Sequence, residues 1–163
     1  MQKPSSADEA FRFYAPTRVL VVDDDPLLCE SARVYLTTLG AQVETAPDGK
    51  TAVDLLCRNT FDIVLADIEM PGLDGFGLVE WMRADEKLRG LPVIMLTVRG
   101  EGASIDRAYR LGANFYVTKP VNWGPFLHQL RRVLRASQSE TEAQEPAVPD
   151  GWRTQKTAIS GGY

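Results

Sequence analysis

The sequence is poor in cysteine and histidine, with two cysteines and one histidine in 163 residues. This scarcity excludes a dense disulfide scaffold and a His/Cys zinc cage, so we predict free thiols at Cys29 and Cys57. No apolar run approaches the roughly 20 residues that a membrane span needs. The first residues also carry no apolar signal core. We therefore expect a cytoplasmic protein without membrane association.

Positive charge is not in excess either. The chain has 18 lysines and arginines against 22 acidic residues, which gives a formal net charge of −4. Binding to nucleic acid through bulk electrostatics needs a basic surface, so we predict no direct contact with nucleic acid. The basic stretch at Arg131, Arg132 and Arg135 is interpreted as a solvated helix face that complements the helix dipole.

The length predicts one domain with a short segment at each end. Residues 1–16 are interpreted as an N-terminal extension, with a short helical piece around residues 9–14. Residues 17–136 form the predicted domain. Residues 137–163 begin with a run that holds four acidic residues, two prolines and no lysine or arginine before residue 151. Such a composition is typical of an acidic linker or tail.

The middle of the chain alternates short apolar runs with helical stripes. These runs are interpreted as strands at residues 19–22, 42–46, 63–66, 93–96 and 115–117, of which the second also holds polar residues. The first run is continuous and β-branched, which indicates a strand buried on both faces. Five β-α repeats predict an α/β protein with a doubly wound parallel sheet and helices on both faces. The active cleft of such a sheet lies at the carboxyl ends of its strands.

Polar side chains follow these runs where each predicted strand ends. They are Asp23, Asp24 and Asp25 after the first run, Asp67 after the third, Thr97 after the fourth, and Lys119 after the fifth. Carboxylates at short range repel one another, and a hard divalent cation relieves that repulsion. Mg²⁺ prefers one or two carboxylates, retained waters and a phosphate.

The cluster therefore predicts a magnesium–phosphoryl site. Asp67 stands alone after the central strand and is the candidate nucleophile, since carboxylates form acyl-phosphates in other enzymes. Lys119 would neutralise one phosphoryl oxygen, and Thr97 would donate a hydrogen bond to another. Phosphoryl transfer needs mainly positioning and charge neutralisation, which these groups supply.

Four motifs in this order resemble the response-regulator receiver domain of two-component signalling, over residues 17–136. They are the runs VVDDDP at 21–26, DIEMPGLDG at 67–75, MLT at 95–97 and YVTKP at 116–120. The resemblance implies a flavodoxin-like, five-stranded parallel sheet with the strand order 2-1-3-4-5.

The resemblance also implies a role for each site residue. Asp67 is the implied phosphoacceptor, and Lys119 pairs with the phosphoryl group. Asp24 would bind Mg²⁺ directly and Asp23 through water, with Asp67 and the backbone carbonyl of Glu69 as further ligands. Asp25 is not an implied ligand. Thr97 and Tyr116 resemble a switch pair that turns toward the phosphorylated site.

The implied protein is a phosphoprotein of a phosphorelay rather than an enzyme, with self-phosphorylation and autodephosphorylation as its only chemistry. A sensor histidine kinase or a phosphotransfer protein would supply the phosphoryl group. The face built from the fourth helix, fifth strand and fifth helix, with Tyr109, Tyr116 and Arg131, is the implied surface for a partner or for a homodimer.

Several alternatives stay open. The chain is either a stand-alone receiver or the receiver fragment of a longer multidomain regulator. An aspartate-nucleophile phosphatase shares the metal chemistry but places an Asp-x-Asp motif after its first strand. A flavodoxin shares the strand order, but three aspartates in the first loop would repel its phosphate. A phosphorylation-independent pseudo-receiver is disfavoured by the intact Asp67, Thr97 and Lys119.

Two departures from the family pattern predict altered kinetics. Val98 stands where the family usually has a very small residue, so we expect slow phosphorylation by small donors. Glu69 and Arg99 lie two residues past Asp67 and Thr97 and carry opposite charges. We expect an ion pair between them over the site that tunes dephosphorylation.

Overall fold

The computed structural model describes Phe13, residues 16–98 and residues 102–144, with side chains described as far as Glu140. Within these residues five strands alternate with five helices. The elements are β1 (Arg18–Val22), α1 (Pro26–Thr38), β2 (Gln42–Ala46), α2 (Gly49–Arg58), β3 (Ile63–Asp67), α3 (Gly75–Ala84), β4 (Val93–Thr97), α4 (Gly102–Leu111), β5 (Phe115–Thr118) and α5 (Trp123–Gln144). The expected helix near residues 9–14 lies outside the described residues, apart from Phe13.

The strands form one parallel sheet with the order β2-β1-β3-β4-β5, which confirms the predicted topology. The apolar runs are continuous because helices cover both faces of the central strands. Residues 19–22, 63–66 and 93–96 are 0% exposed.

Alternate residues of each strand enter one of two apolar clusters. Val21 and Leu65 pack on the face that α1 and α5 cover. Val22 and Ala66 pack on the face that α2, α3 and α4 cover. Cys29 is buried on α1 and Cys57 is exposed on α2, on the other side of the sheet. Both are free thiols, as predicted.

Aspartates cap the first three helices. The side chains of Asp25, Asp48 and Asp74 accept hydrogen bonds from the backbone N–H groups of Leu27, Thr51 and Gly77. Each bond satisfies a donor that the first turn of a helix leaves unpaired. Asp25 serves α1 in the same way.

The last helix is longer than the sequence composition indicated. The polar run from Ser137 was predicted as a linker, but α5 continues through it to Gln144. Alanine, glutamine and glutamate have good helix propensity, and no proline interrupts the chain before Pro146. Polar composition therefore misled the local structure prediction, while the domain boundary at residue 136 stays a prediction. The expected tail from residue 145 onward lies outside the described residues.

None of the helices in the described part of the chain is long and apolar enough to cross a membrane.

Candidate functional site

The acidic residues after β1 and β3 meet at the carboxyl edge of the sheet. Asp23, Asp24 and Asp67 each offer a carboxylate oxygen, and these atoms lie within 4.8 Å of one another. Asp23 and Asp67 are 1% and 4% exposed, whereas Asp24 faces solvent. The structure thus assembles the acidic cluster that the strand ends predicted, with one side open to water.

Lys119 places a single ammonium group between the two buried carboxylates. Its Nζ lies 2.6 Å from Oδ2 of Asp23 and 3.3 Å from Oδ2 of Asp67. Its backbone N–H donates to the carbonyl of Thr97 at 2.7 Å, which fixes the loop after β5 against the end of β4. The lysine therefore bridges three strand ends.

The alternation of side chains along the strands explains why these groups converge. Asp23, Asp67 and Lys119 follow Val21, Leu65 and Val117 by two residues, and those three pack on the face that α1 and α5 cover. Side chains two residues apart on a strand point to the same face. Asp23 and Asp67 belong to neighbouring strands, and the long lysine side chain reaches them from β5 past the end of β4.

Tight backbone packing holds Asp67 in place. The N–H of Gly75, the first residue of α3, donates to the carbonyl of Ile68 at 2.9 Å. A Cβ on Gly75 would lie 2.2 Å from the carbonyl oxygen of Asp67, a distance at which backbone would have to move. The role of Gly75 depends on a contact between α3 and β3 that no local pattern predicts.

Backbone N–H groups orient both buried carboxylates. Asp25 donates to Oδ1 of Asp23 at 2.9 Å, and Glu69 donates to Oδ1 of Asp67 at 3.3 Å. These bonds leave the Oδ2 atom of each carboxylate directed at Lys119.

Burial and mutual repulsion change the acidity of the site. Burial raises the pKa of Asp67 to about 6, and the neighbouring Asp23 carboxylate adds to the rise, while Lys119 and the Glu69 N–H oppose it. Burial alone would lower the pKa of Lys119, but its contacts with Asp23 and Asp67 outweigh burial and raise that pKa. Lys119 is therefore held as a cation.

Cys29 lies behind the acidic cluster, a position that sequence reasoning did not connect with the site. Its thiol donates to the backbone carbonyl of Asp23 at 3.4 Å. Burial, followed by the nearby Asp23 carboxylate, raises the pKa of the thiol to about 11. Because the thiolate is the reactive form, Cys29 is an inert support for the loop after β1.

The donor set fits a hard divalent cation. The cluster holds three carboxylates and Lys119 supplies one ammonium, in contact with Asp23 and Asp67, which leaves two negative charges in excess once all three carboxylates are ionised. The buried Oδ2 of Asp23 touches Lys119 but accepts no hydrogen bond of normal geometry from the described residues. Oxygen ligands of this charge and exposure match the preference of Mg²⁺.

The two candidate switch residues occupy β4 and β5. Thr97 is the buried last residue of β4 and pairs in register with Thr118. Tyr116 is half-buried, packs with the apolar cluster on the α2–α4 face, and meets the ring of Tyr109 edge-on at 6.0 Å between centroids. By the alternation of β4, Thr97 shares that face with Met95. The two candidate switch residues thus lie on the side of the sheet that α4 covers.

An apolar groove flanks the site on the other side. Val98 is 64% exposed and Leu27 is 73% exposed. They line the groove together with Leu28, Lys119, Pro120, Val121 and Trp123. Val98 and Lys119 thus line the same groove at the edge of the site, and the expected slow phosphorylation by small donors stays a prediction. The expected ion pair between Glu69 and Arg99 lies outside the described residues, since Arg99 is not among them.

The comparisons with known proteins identify the family. The sequence matches the response regulator receiver domain over residues 19–131. It is 34% identical over 136 residues to the transcriptional regulatory protein KdpE of Mycobacterium tuberculosis, and the aligned region covers 81% of this chain and 57% of KdpE. It is 39% identical over 116 residues to the heme response regulator HssR of Staphylococcus aureus, and the aligned region covers 71% of this chain and 50% of HssR.

A solved structure supports the same assignment. The chemotaxis protein CheY4 of Vibrio cholerae superposes with a TM-score of 0.70 at 31% identity, over 73% of this chain and 99% of CheY4. The fold and these matches define a signalling domain of two-component signal transduction, a class that is in general not enzymatic. The chain belongs to the response regulator receiver domain family. It spans about half the length of the curated relatives it matches.

Proposed function

We propose that this receiver accepts a phosphoryl group on Asp67 from a phosphohistidine of a sensor kinase or phosphotransfer protein. The P–N bond to the imidazole breaks, its electron pair stays on the histidine nitrogen, and a P–O bond forms to a carboxylate oxygen of Asp67. The observation that supports this most directly is the Lys119 ammonium, which contacts Asp67 and Asp23 beside the exposed Asp24.

The acidic cluster would hold Mg²⁺ through Asp23, Asp24, Asp67 and the backbone carbonyl of Glu69. The ion, when bound, supplies charge neutralisation for the phosphoryl oxygens. Lys119 supplies a second positive charge and exchanges its contact with Asp67 for one with a phosphoryl oxygen. Burial of Asp67 on all but the open side of the site limits the access of water to the acyl-phosphate that forms there.

Phosphorylation would act on the rest of the domain through Thr97 and Tyr116. The Thr97 hydroxyl donates to a phosphoryl oxygen, and Tyr116 follows because it lies on the neighbouring strand and on the same face. The resulting change reaches the α4–β5–α5 face, where Tyr109 contacts Tyr116. This face binds the output partner or a second copy of the chain.

Two forms of output remain as alternatives. The match to regulators of about twice this length supports a receiver that belongs to a longer transcriptional regulator. The match to nearly all of CheY4 supports a stand-alone receiver. In either form the domain acts in the cytoplasm, catalyses only its own phosphorylation and dephosphorylation, and makes no direct contact with nucleic acid.

The test is incubation of the full chain with acetyl phosphate, with and without Mg²⁺, followed by intact mass measurement. We expect one phosphoryl adduct that requires Mg²⁺ and disappears in Asp67→Asn. Asp54→Asn, on the exposed face of α2, is the matched control and should keep the adduct. An adduct that persists in Asp67→Asn, or that forms equally without Mg²⁺, would contradict the proposal. Steady release of phosphate from simple phosphate esters would favour a phosphatase instead.

A further inference from the structure

A groove of about 730 Å³ crosses the amino edge of the sheet, where the parallel strands begin, on the side opposite Asp67. Its walls come from residues 56–62 at the end of α2, from the loop between α3 and β4, and from α5. The α5 wall includes Ser137 and Gln138, in the polar part of that helix. We call this feature the amino-edge groove.

Hydrogen bonds fix the two loops that form the amino-edge groove. On one wall, Nδ2 of Asn59 donates to both carboxylate oxygens of Glu44 at 3.3 and 3.2 Å. On the other, Nη1 of Arg83, in the last turn of α3, donates to the carbonyls of Leu88 and Leu91 at 3.3 and 2.7 Å. The groove is therefore a preformed part of the fold.

Positive charge is in excess at the amino-edge groove. Arg58 and Lys87 line it, are exposed, and form no ion pair with another described residue. The guanidinium of Arg83 behind the loop bonds only to neutral oxygens. Asp62, the carboxylate among the described lining residues, already accepts the backbone N–H of Arg18 at 2.7 Å. In a chain of net charge −4, this excess favours a negatively charged occupant.

The floor of the amino-edge groove is apolar. Its apolar side chains are Leu56, Phe61, Leu88, Leu91, Pro92 and Leu134. The rim is open, because Arg58, Thr60, Lys87 and Gly90 are exposed, whereas sites for small molecules enclose most of the ligand surface. The groove therefore suits an extended peptide that combines carboxylates with an apolar side chain.

The chain itself contains such a peptide. Residues 145–152, EPAVPDGW, hold two carboxylates, a valine and a tryptophan. They lie outside the described residues and follow α5 directly, which ends at Gln144. Gln138 on the groove wall is about 9 Å before that end along the helix, and eight extended residues span about 26 Å. The segment is therefore long enough to return to the groove.

We propose that residues 145–152 bind in the amino-edge groove of their own domain. Trp152 packs on the apolar floor, and Glu145 and Asp150 lie beside Arg58 and Lys87. The segment that leads away from the receiver is thereby held at the edge opposite the site of phosphoryl transfer. This contact goes beyond the proposed phosphoryl chemistry and does not depend on it.

The covalent connection makes a weak contact sufficient. A short tether gives a segment an effective concentration of about 1 mM, so a dissociation constant of about 0.5 mM fills the groove about two thirds of the time. Removal of the segment should then make the groove about three times as accessible.

The test uses Cys57, an exposed thiol on the groove wall, as a reporter. Cys29 is buried, and burial raises its pKa to about 11, so the neutral reagent N-ethylmaleimide modifies Cys57 first. Deletion of residues 145–163 should speed this modification about threefold, as measured by intact mass over time. Trp152→Ala in the full chain should give most of the increase. Tyr163→Ala, an aromatic control outside the segment, should leave the rate unchanged.

A second pair of variants tests the charge complementarity. In Lys87→Glu, the threefold difference between the full and the shortened chain should fall to nearly one, because the segment no longer meets a cation there. In Lys50→Glu, an exposed lysine at the opposite edge of the sheet, the difference should stay threefold. Each comparison is made within one background, so direct effects of the substitution on the Cys57 thiol cancel. If the shortened chain does not fold, Trp152→Ala takes its place in both backgrounds.

The proposal is overturned if deletion of residues 145–163 or Trp152→Ala leaves the rate at Cys57 unchanged, or if Tyr163→Ala speeds it as much. It is also overturned if the difference stays threefold in Lys87→Glu. Protection of Cys57 that rises with protein concentration would identify a second copy of the chain as the occupant and would overturn it as well.

Discussion

The two edges of the sheet treat their charged groups in opposite ways. At the carboxyl edge, the single ammonium of Lys119 contacts Asp23 and Asp67, and the neighbouring Asp24 adds a third carboxylate. At the amino edge, the guanidinium of Arg83 has acceptors for all of its donated bonds.

Arg18 repeats the pattern of the amino edge at the start of β1. It donates to Thr60 at 3.2 Å, pairs with Glu44 at 3.3 Å, and lies over the ring of Phe61. The two arginines at the amino edge find their acceptors within the protein. At the carboxyl edge, the carboxylates outnumber the single ammonium group beside them. The comparison indicates that one edge stabilises the fold and that the other holds charge ready for a ligand.

The largest expected effect tests the amino edge. Arg83→Met should lower the free energy of unfolding by about 3 kcal/mol, because it removes the guanidinium donor from the carbonyls of Leu91 and Gly112 and one of the two donors from the amide oxygen of Asn114. Urea denaturation at neutral pH measures this. Arg89→Met, at an exposed position close by, should stay within about 0.5 kcal/mol of the parent protein. Equal losses in the two variants would show that the hydrogen bonds of Arg83 contribute no stability.

A smaller effect of opposite sign is expected at the carboxyl edge. Without Mg²⁺ at pH 8, Asp67→Asn should raise the free energy of unfolding by about 1–2 kcal/mol, because it removes a carboxylate whose pKa is raised to about 6 in the fold. The full pKa shift would correspond to a larger gain in the free energy of unfolding, but water at the open side of the site screens part of the electrostatic effect.

The pH dependence follows from the sign of that shift. A carboxyl with a folded pKa of about 6 and an ordinary value of 3.8 destabilises the fold when ionised. The parent protein therefore gains stability from this group as pH falls from above 6 toward 3.8, and the advantage of Asp67→Asn should shrink to nothing near pH 4. Urea midpoints across this range check the trend, with Asp54→Asn as the control. A gain that is independent of pH would contradict the electrostatic origin.

The smallest effect concerns the rim of the same edge. Val98→Ala should speed phosphorylation by acetyl phosphate about two- to fivefold, because it removes exposed bulk beside Lys119 and lowers the barrier by under about 1 kcal/mol. The rate of adduct formation by intact mass measures this. Val34→Ala, an exposed valine on α1, should leave the rate unchanged. An unchanged rate in Val98→Ala would remove the steric explanation.

The carboxyl edge was largely predictable from the sequence. Continuous apolar runs indicated buried strands, and the parallel topology places the ends of these strands at one edge of the sheet. Asp23, Asp67 and Lys119 meet there because each follows its strand at a position whose side chain points to the same face. The roles of Thr97, Tyr116 and the Glu69 carbonyl in switching and metal binding stay predictions. The ion pair from Lys119 to Asp23 could not be derived, since it depends on how far β5 stands from β1.

The amino edge was not predictable from local patterns. Arg83 bonds mostly to backbone carbonyls, which every residue carries, so its acceptors at Leu91 and Gly112 leave no signature in the sequence. The length of α5 was missed for another reason. The polar residues at 137–144 suggested a linker. A polar composition indicates exposure to solvent but does not determine backbone conformation, and residues 137–144 include no proline or glycine that would end the helix.

The length of α5 has a mechanical consequence. The helix starts four residues after Lys119 and contains 22 residues, so it extends about 33 Å as one rod. Its first turn is seated by Trp123, whose ring stacks on Tyr35 and meets Phe126 edge-on. The loop that carries Lys119 leads directly into this first turn. If a movement of the loop tilts α5 by a few degrees, Gln144 at the far end of the helix moves several times as far as Trp123 does.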